Sequence, residues 1–170
     1  MNYVAFAQAG PPEVLYVAQG PVPSAERGHV LIEVEAAGVS RADALQRQGF
    51  YPPPPGASPV LGLEVSGAIV AIGEGVDGFR IGDRVCALCN GGGYAEFALV
   101  PAGSVLPLPE EWSFVEGATL PENAFTVYDN LFVRARLKDG EMLLVHGGTS
   151  GIGTTAIMFA RAAGARVIAT

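Results

Sequence analysis

Residues 145–170, VHGGTSGIGTTAIMFARAAGARVIAT, constrain the fold more than any other part of the chain. Together with EMLL immediately before it, this segment predicts a strand, a glycine-rich turn, a helix closed by Gly164 and a second apolar strand. Such a βαβ unit has two parallel strands and a right-handed crossover. The uninterrupted apolar character of EMLLV is typical of a strand covered on both faces.

The turn HGGTSGIG places Gly148, Ser150 and Gly153 at the three glycine positions of the G-x-G-x-x-G dinucleotide-binding motif. That motif combines a tight turn, close approach of the backbone to a pyrophosphate, and a helix N-terminus whose N–H groups face the anion. The serine hydroxyl in the central position is a further donor for a phosphate or a substrate oxygen. The flanking strand and helix favour dinucleotide binding over a purely structural turn. We therefore predict cofactor contacts from Gly147, Gly148, Thr149, Ser150, Gly151, Ile152 and Gly153.

Residues 1 to about 110 have the pattern of β structure. Short runs rich in valine and aromatic residues are bounded by glycine or proline, and they are NYVAFAQ, VLYVAQ, HVLIEVEAAGV, EVSGAIVAIG, RVCAL and YAEFALVP. Their spacing favours a small barrel or sandwich. One helix, RADALQRQG, interrupts them, with Ser40 as its predicted N-cap and Gly49 at its end. Another is predicted over PENAFTVYDNLFVRA, so we expect two domains, residues 1–120 and 121–170.

The composition excludes several classes of protein. Of the 170 residues 49% are hydrophobic and 16% charged, and the formal net charge is −7, which is unlike a nucleic-acid-binding protein. No run approaches the roughly 20 apolar residues that span a bilayer. The first residues lack the basic and apolar regions of a signal peptide, and two cysteines form no disulfide framework. A cytoplasmic protein without a membrane or nucleic-acid partner is expected.

Longer motifs cover nearly the whole chain: PPEVLYV, GVSRADALQRQGFYPPPPGASPVLGLEVSG, AIGEGVDGFRIGDRVCAL, GGGYAEFALVPAG, LPENAFTVYDNLF and VHGGTSGIGTTAI. In these motifs the chain resembles the medium-chain dehydrogenase/reductase superfamily, and within it the zinc-free NADPH:quinone oxidoreductases of the zeta-crystallin type. The resemblance implies a mixed α/β fold, a GroES-like β-barrel substrate domain followed by the first βαβ unit of a Rossmann domain. It also implies NADPH as cofactor, a quinone as substrate and a homodimer of the full-length protein.

Family members are much longer than this chain, so the resemblance predicts that it is the N-terminal half of such an enzyme. Residues 1–170 alone are then expected to be inactive and to bind NADPH weakly. The residue that distinguishes NAD from NADP should lie about 20 residues after the turn. Because Thr170 stands at about that point, the choice of NADPH depends on the resemblance alone.

The resemblance also locates the metal-ligand positions of zinc alcohol dehydrogenases from the same superfamily. These positions are Ser40, before Arg-x-x-Asp, Leu63, within Gly-Leu-Glu, and Glu122, four residues before Thr-Val-Tyr. One carboxylate without imidazole or thiolate is not a catalytic zinc shell, so no metal is expected. A quinone is electrophilic enough to accept hydride without a Lewis acid, and it needs only a hydrogen-bond donor at the developing oxyanion. Enones and enals satisfy the same requirement.

Three side chains are candidate catalytic groups. By the resemblance, Tyr51, before a polyproline run, lines the nicotinamide and quinone pocket, although a rigid surface loop would also explain it. Ser40 is either a donor to the substrate or the nicotinamide amide, or simply an N-cap. Ser150 is expected to reach the reacting centre from the turn. Thr126 matches the threonine that the family places beside the nicotinamide.

The remaining reactive residues are interpreted as structural. Cys86 and Cys89 form one C-x-x-C, which lacks the four ligands of a structural zinc site and is read as packed or edge residues. Asp83 and Arg84 are expected in a turn between barrel strands, and Arg41 on an exposed helix face. His29 and His146 have no partners at ligand or triad spacing, and both are expected to be non-catalytic.

Two alternatives to quinone reduction are open. One is reduction of an enone, an enal or an enoyl thioester by an enzyme of the same superfamily. The other is a non-catalytic GroES-like module formed by residues 1–170 themselves, in which the last strand, RVIAT, would have an unpaired edge and poorly covered faces.

Overall fold

A computed structural model describes all of residues 1–170. The chain forms two compact units, Met1–Pro121 and Glu122–Thr170. The assignment of 1–120 to a substrate domain and of 121–170 to a cofactor domain stays a prediction.

The first unit contains seven strands. They are β1 (Asn2–Ala5), β2 (Tyr16–Gln19), β3 (His29–Ala37), β4 (Glu64–Ile72), β5 (Arg84–Leu88), β6 (Phe97–Pro101) and β7 (Val105–Pro107). Strands β1 and β2 form an antiparallel pair, and the other five form an antiparallel sheet of order β6-β3-β4-β5-β7. Two register shifts between β3 and β4 are bulges, which bend the strands and increase their twist. This curled antiparallel sheet confirms the predicted β class of the first part of the chain.

The core of the first unit lies on one side of this sheet. Alternate residues of β3 and β4 point into it, because successive side chains of a strand face opposite sides. The fully buried β-branched residues are Val30, Ile32, Val65, Ile69, Val85 and Val100. Together these side chains fix the register of the central strands.

Two helices belong to the first unit, α1 (Arg41–Arg47) and α2 (Phe114–Gly117). Ser40 caps α1, which confirms its predicted N-cap role. Gln48 is the C-cap of α1, and its N–H donates to the Ala44 carbonyl. Gly49 follows with φ +85°, the left-handed conformation that glycine adopts without strain. Single-turn 3₁₀ helices occur at Pro12–Val14 and Ala102–Ser104.

The second unit is the predicted βαβ arrangement. Strands β8 (Met142–Val145) and β9 (Arg166–Ala169) are parallel neighbours, and α4 (Gly151–Ala162) connects them. Helix α3 (Pro121–Tyr128) precedes them and continues into a π-helix, Asp129–Arg134. Side chains of α3, α4 and the inner face of the strands form its core, which contains Val127, Leu131, Leu143, Val145, Ala156, Ile157, Phe159 and Val167.

Several boundaries differ from the sequence-based expectations. Strand β1 stops at Ala5, so NYVAFAQ is only partly extended. The helix predicted over PENAFTVYDNLFVRA is α-helical only as far as Tyr128 and has π geometry from Asp129. Strand β7 and helix α2 were not predicted, because three and four residues are too few for a periodic pattern. Within residues 1–170, EMLLV is covered on one face only. Met142 and Leu144 are each 55% exposed, because α3 and α4 both pack on the opposite face of the strands.

Candidate functional site: a glycine turn at a helix N-terminus

The glycine turn is tied to the end of the second strand of the βαβ unit. Gly147 has φ +75°, and the N–H groups of Gly147 and Gly148 both donate to the Thr170 carbonyl at 3.0 Å. The N–H of Ser150 donates back to the Gly147 carbonyl at 3.0 Å. The turn is therefore held from both sides by backbone hydrogen bonds.

Two glycines of the motif are required by close packing. A Cβ atom on Gly153 would lie 2.2 Å from the Gly147 carbonyl oxygen, so the first turn of α4 packs directly on the glycine turn. A Cβ atom on Gly148 would lie 2.7 Å from the Ala169 Cβ at the end of β9. These contacts are what the motif requires for close approach of helix, strand and ligand.

The N-terminus of α4 supplies the donors. The N–H groups of Gly151 and Ile152, the first two residues of the helix, have no carbonyl acceptor within it. Both residues are exposed. Exposed amides at the positive end of a twelve-residue helix dipole form a site for an anion. The residues present therefore fit the diphosphate of a dinucleotide.

The Ser150 hydroxyl is engaged within the turn. Its Oγ donates to the Gly147 carbonyl at 2.9 Å and accepts from the Gly153 N–H at 3.0 Å. A hydroxyl has only one proton to donate, so in this arrangement Ser150 faces a ligand as an acceptor. Its contact with the reacting centre stays a prediction.

Thr126 lies on α3, within the same unit as the turn. It is exposed, and its hydroxyl makes no hydrogen bond in the structure. Its carbonyl accepts from Asn130 Nδ2 at 2.8 Å, a bond that spans the junction between α3 and the π-helix. The Thr126 hydroxyl is thus available to a ligand. The predicted contact with nicotinamide is untested.

The other two candidate catalytic residues, Ser40 and Tyr51, belong to the first unit. Ser40 Oγ donates to Asp43 Oδ2 at 3.0 Å and accepts from the Asp43 N–H at 3.4 Å. Tyr51 is 46% exposed, and its phenol makes no hydrogen bond in the structure. Of the two hydroxyls, only that of Tyr51 has a free proton. A catalytic role for either residue stays a prediction.

A buried polar cluster beside Ser40 is the part of this region that sequence reasoning missed. Asp43, 3% exposed, also accepts from the Gly62 N–H at 3.2 Å through Oδ1, which joins α1 to the loop before β4. The Tyr94 hydroxyl is buried without a hydrogen-bond partner, and burial, followed by the charges of Asp43 and Glu64, raises the pKa of Tyr94. The buried Asp43 carboxylate accepts three hydrogen bonds, from the N–H and hydroxyl of Ser40 and from the N–H of Gly62, and so it fixes the position of both backbone segments. The sequence showed only that Asp43 lies three residues after Ser40.

The residues read as structural occupy structural positions. Burial raises the pKa of Cys86 to about 11 and that of Cys89 to about 12, and both thiols are free. Both side chains are packed, as expected.

Asp83 Oδ2 accepts from the Arg80 N–H at 2.7 Å, which closes the predicted turn. Arg84 donates to the carbonyls of residues 109, 110 and 112 and stacks 4.7 Å from the Phe114 ring centroid.

The histidines and Arg41 make no catalytic constellation. His29 Nδ1 lies 3.0 Å from the Arg27 carbonyl oxygen, and His146 Nδ1 lies 3.1 Å from Thr170 Oγ1. Arg41 is exposed at the start of α1. No group of three or more histidine, cysteine, aspartate or glutamate side chains is arranged to hold a metal ion. None of the helices has the length and apolar character needed to cross a bilayer.

Comparison with known proteins identifies the family. The model of the alcohol dehydrogenase GroES-like domain matches residues 26–110, half of the chain. The chain belongs to the medium-chain dehydrogenase/reductase family. The quinone oxidoreductase of Rattus norvegicus is 40% identical over 172 residues, which cover 100% of this chain and 52% of the rat protein. The chain spans about half the length of the curated relatives that it matches over its whole length.

Solved structures of this dehydrogenase/reductase family have the same fold. The CurK enoyl reductase superposes with a TM-score of 0.88 at 29% identity, covering 99% of this chain and 53% of that one. The mycobacterial protein Rv1454c, solved in complex with NADPH, superposes with a TM-score of 0.84 at 31% identity, covering 99% and 52%.

Proposed function

We propose that the whole protein to which residues 1–170 belong is an NADPH-dependent quinone reductase that needs no zinc. The observation that carries the proposal is the glycine turn on the N-terminus of α4, in a chain 40% identical to a quinone oxidoreductase over its full length. The choice of NADPH is supported by the similar protein solved with that cofactor. When bound, the nicotinamide supplies the hydride for the reduction.

The roles of the chain's own residues follow from their hydrogen bonds. Residues 147–153 would hold the diphosphate through amide N–H groups, and the exposed Thr126 hydroxyl is available to the nicotinamide carboxamide. Because Ser40 and Ser150 already donate their protons locally, Tyr51 is the candidate whose phenol can donate to the developing oxyanion. Tyr51 can also contribute by stacking on a planar substrate.

Zinc independence is supported by the chemistry of the side chains. The positions that hold zinc in alcohol dehydrogenases of the family are Ser40, Leu63 and Glu122, which together offer one strong ligand. The site is therefore suited to substrates that accept hydride without a Lewis acid.

Steady-state kinetics of the whole protein test the function. We expect NADPH-dependent reduction of 1,4-benzoquinone that is unchanged by a zinc chelator. Tyr51→Phe and Tyr51→Ala separate the two roles of the phenol, because phenylalanine keeps the ring and loses only the donor. Absence of quinone reduction, or loss of activity on chelation, would contradict the proposal.

A second candidate function has its own support. Two of the similar structures are enoyl reductases, CurK and JamJ, with TM-scores of 0.88 and 0.86. Reduction of a conjugated enone or enoyl thioester requires the same hydride and a comparable oxyanion donor. A higher kcat/KM for a small enone than for benzoquinone would favour this alternative.

A homodimer and a cytoplasmic location are also part of the proposal. They are supported by the family resemblance of the chain. Light scattering of the whole protein and fractionation of cells would test them. A monomer, or a membrane-bound fraction, would contradict these assignments.

A further inference from the structure

The side chain of Asn123 lies against the N-terminus of α4. A Cβ atom built on Gly151, the first residue of that helix, would lie 3.0 Å from Asn123 Oδ1 and 3.1 Å from Nδ2. The absence of a side chain at position 151 therefore lets the carboxamide of α3 approach the backbone of the glycine turn. Both residues belong to the second unit.

The turn itself contains no cation. Its sequence from Gly147 to Gly153 has only glycine, threonine, serine and isoleucine, so within the turn a bound diphosphate meets only neutral N–H groups and the helix dipole. A carboxamide carries two N–H donors and no charge. A carboxamide beside the first amides of α4 adds donors where they are needed.

We propose that Asn123 is a further cofactor-binding residue, whose side-chain N–H donates to the diphosphate of a nicotinamide dinucleotide at the glycine turn. The inference rests on the proposed function, since it assumes that a dinucleotide binds there. Thr126 lies three residues further along α3 and is a neighbour of Asn123 on the helix surface. Asn123 thus lies beside the turn and on the same helix as the threonine predicted to meet the nicotinamide.

Equilibrium titration of the whole protein with NADPH tests the assignment. Asn123→Asp keeps the shape of the side chain but places a negative charge beside the phosphates, and Asn123→Ala removes the whole carboxamide without adding a charge. We expect Asn123→Ala to weaken binding by about tenfold, as for loss of one hydrogen bond to a charged group, and Asn123→Asp to weaken it further, because it also repels the phosphates. The excess loss in Asn123→Asp should shrink as salt is raised, because salt screens charge repulsion.

Asn90→Asp is the matched control. Asn90 is exposed in the first unit, so the same change of charge there should leave the Kd for NADPH unaltered. A second ligand, 2′-phosphoadenosine diphosphate ribose, lacks the nicotinamide but keeps the diphosphate. Asn123→Asp should weaken its binding by the same factor as that of NADPH.

The outcomes separate this inference from the proposed function. No binding of NADPH by the wild-type protein would overturn the proposed function and this inference together. Binding by the wild type with Asn123→Asp and Asn123→Ala both within about twofold of it would overturn the role of Asn123 alone. An effect on NADPH but not on the phosphorylated ribose would also overturn it, because the contact would then be with the nicotinamide. If Asn123→Asp does not fold, the test depends on Asn123→Ala: equal weakening of its binding to NADPH and to 2′-phosphoadenosine diphosphate ribose would support the inference, and unchanged binding to both would overturn it.

Discussion

At the scale of single residues, two serines have the same local arrangement. The Ser40 and Ser150 hydroxyls each accept a hydrogen bond from the N–H three residues ahead, and each donates its proton to an oxygen nearby. A serine held in this way begins a helix, and it offers an approaching ligand a lone pair but no proton. The phenol of Tyr51 therefore becomes the stronger candidate for an oxyanion donor in the first unit.

The capping serines give a prediction about stability. Ser40→Ala should lower the free energy of unfolding by about 1 kcal/mol or slightly more, because it removes the cap of α1 and one donor from the buried Asp43 carboxylate. Ser113→Ala is the matched control. Ser113 forms the same capping box with Glu116, but that carboxylate is exposed and can turn to water.

Urea denaturation of residues 1–170 measures both variants. We expect Ser40→Ala to be the more destabilised of the two, and Ser40→Thr, which keeps a capping hydroxyl, to recover most of the loss. Equal losses at Ser40 and Ser113 would show that burial of the Asp43 carboxylate is without effect.

The two cysteines give a second prediction at this scale. Because burial raises the pKa of Cys86 to about 11 and of Cys89 to about 12, neither forms thiolate at pH 8 in the folded protein. Labelling with a thiol reagent at that pH should be slow in buffer and rapid in concentrated urea. Since the thiols ionise near pH 9 when unfolded, stability should also fall as pH rises from about 9 towards 11. Native labelling at the rate of a free thiol would contradict the burial of both side chains.

At the scale of elements, the junction between β8 and α4 depends on a backbone contact at Gly153. Gly153→Ala would place a methyl carbon 2.2 Å from the Gly147 carbonyl oxygen, well inside contact distance. The helix start or the turn must then move, so we expect a loss of about 1–3 kcal/mol in unfolding free energy and much weaker NADPH binding by the whole protein.

Gly103→Ala is the control for this change. Gly103 also lies in a helical turn, and a Cβ atom there would have no neighbour within 4 Å. Its stability by urea denaturation and its Kd for NADPH should both remain close to those of the wild type. If Gly153→Ala had the stability and the Kd of the wild type, the close contact between the glycine turn and the first turn of α4 would not be needed, and the prediction would be wrong.

The elements also show what the sequence could predict. Local signals were sufficient for α1, where Ser40 and Gly49 mark both ends, and for the βαβ unit, where the glycine turn joins two apolar runs. The signals were insufficient where structure depends on distant partners. The carboxylate of Asp43 bonds to the Gly62 amide nineteen residues away, and Asn123 touches Gly151 across two elements. No periodic pattern encodes contacts of this kind.

At the scale of the whole molecule, the two units differ in how completely their sheets are covered. The five-stranded sheet of the first unit buries its central strands, with Val30, Ile32 and Val65 at zero exposure. The two parallel strands of the second unit are covered on one face. On the other, Met142, Leu144 and Ile168 are 55%, 55% and 51% exposed, and they share that face because paired residues of parallel strands point the same way.

This apolar face gives the last prediction. Exposed apolar surface on a short parallel sheet promotes association and binding of hydrophobic dyes. We therefore expect residues 1–170 by themselves to bind anilinonaphthalene sulfonate and to self-associate as concentration rises. Leu144→Lys and Ile168→Lys should reduce both effects, since each places a charge at the centre of the face.

Val17→Lys is the matched control, because Val17 is 71% exposed and lies on β2, which belongs to a different sheet. It should leave dye binding and association unchanged, as measured by fluorescence and light scattering. If the three variants behaved alike, the association would come from general apolar exposure. If only those at 144 and 168 dissociate the chain, the uncovered face of β8 and β9 is the surface through which it associates, and cofactor binding by the isolated chain can be measured on those monomeric variants.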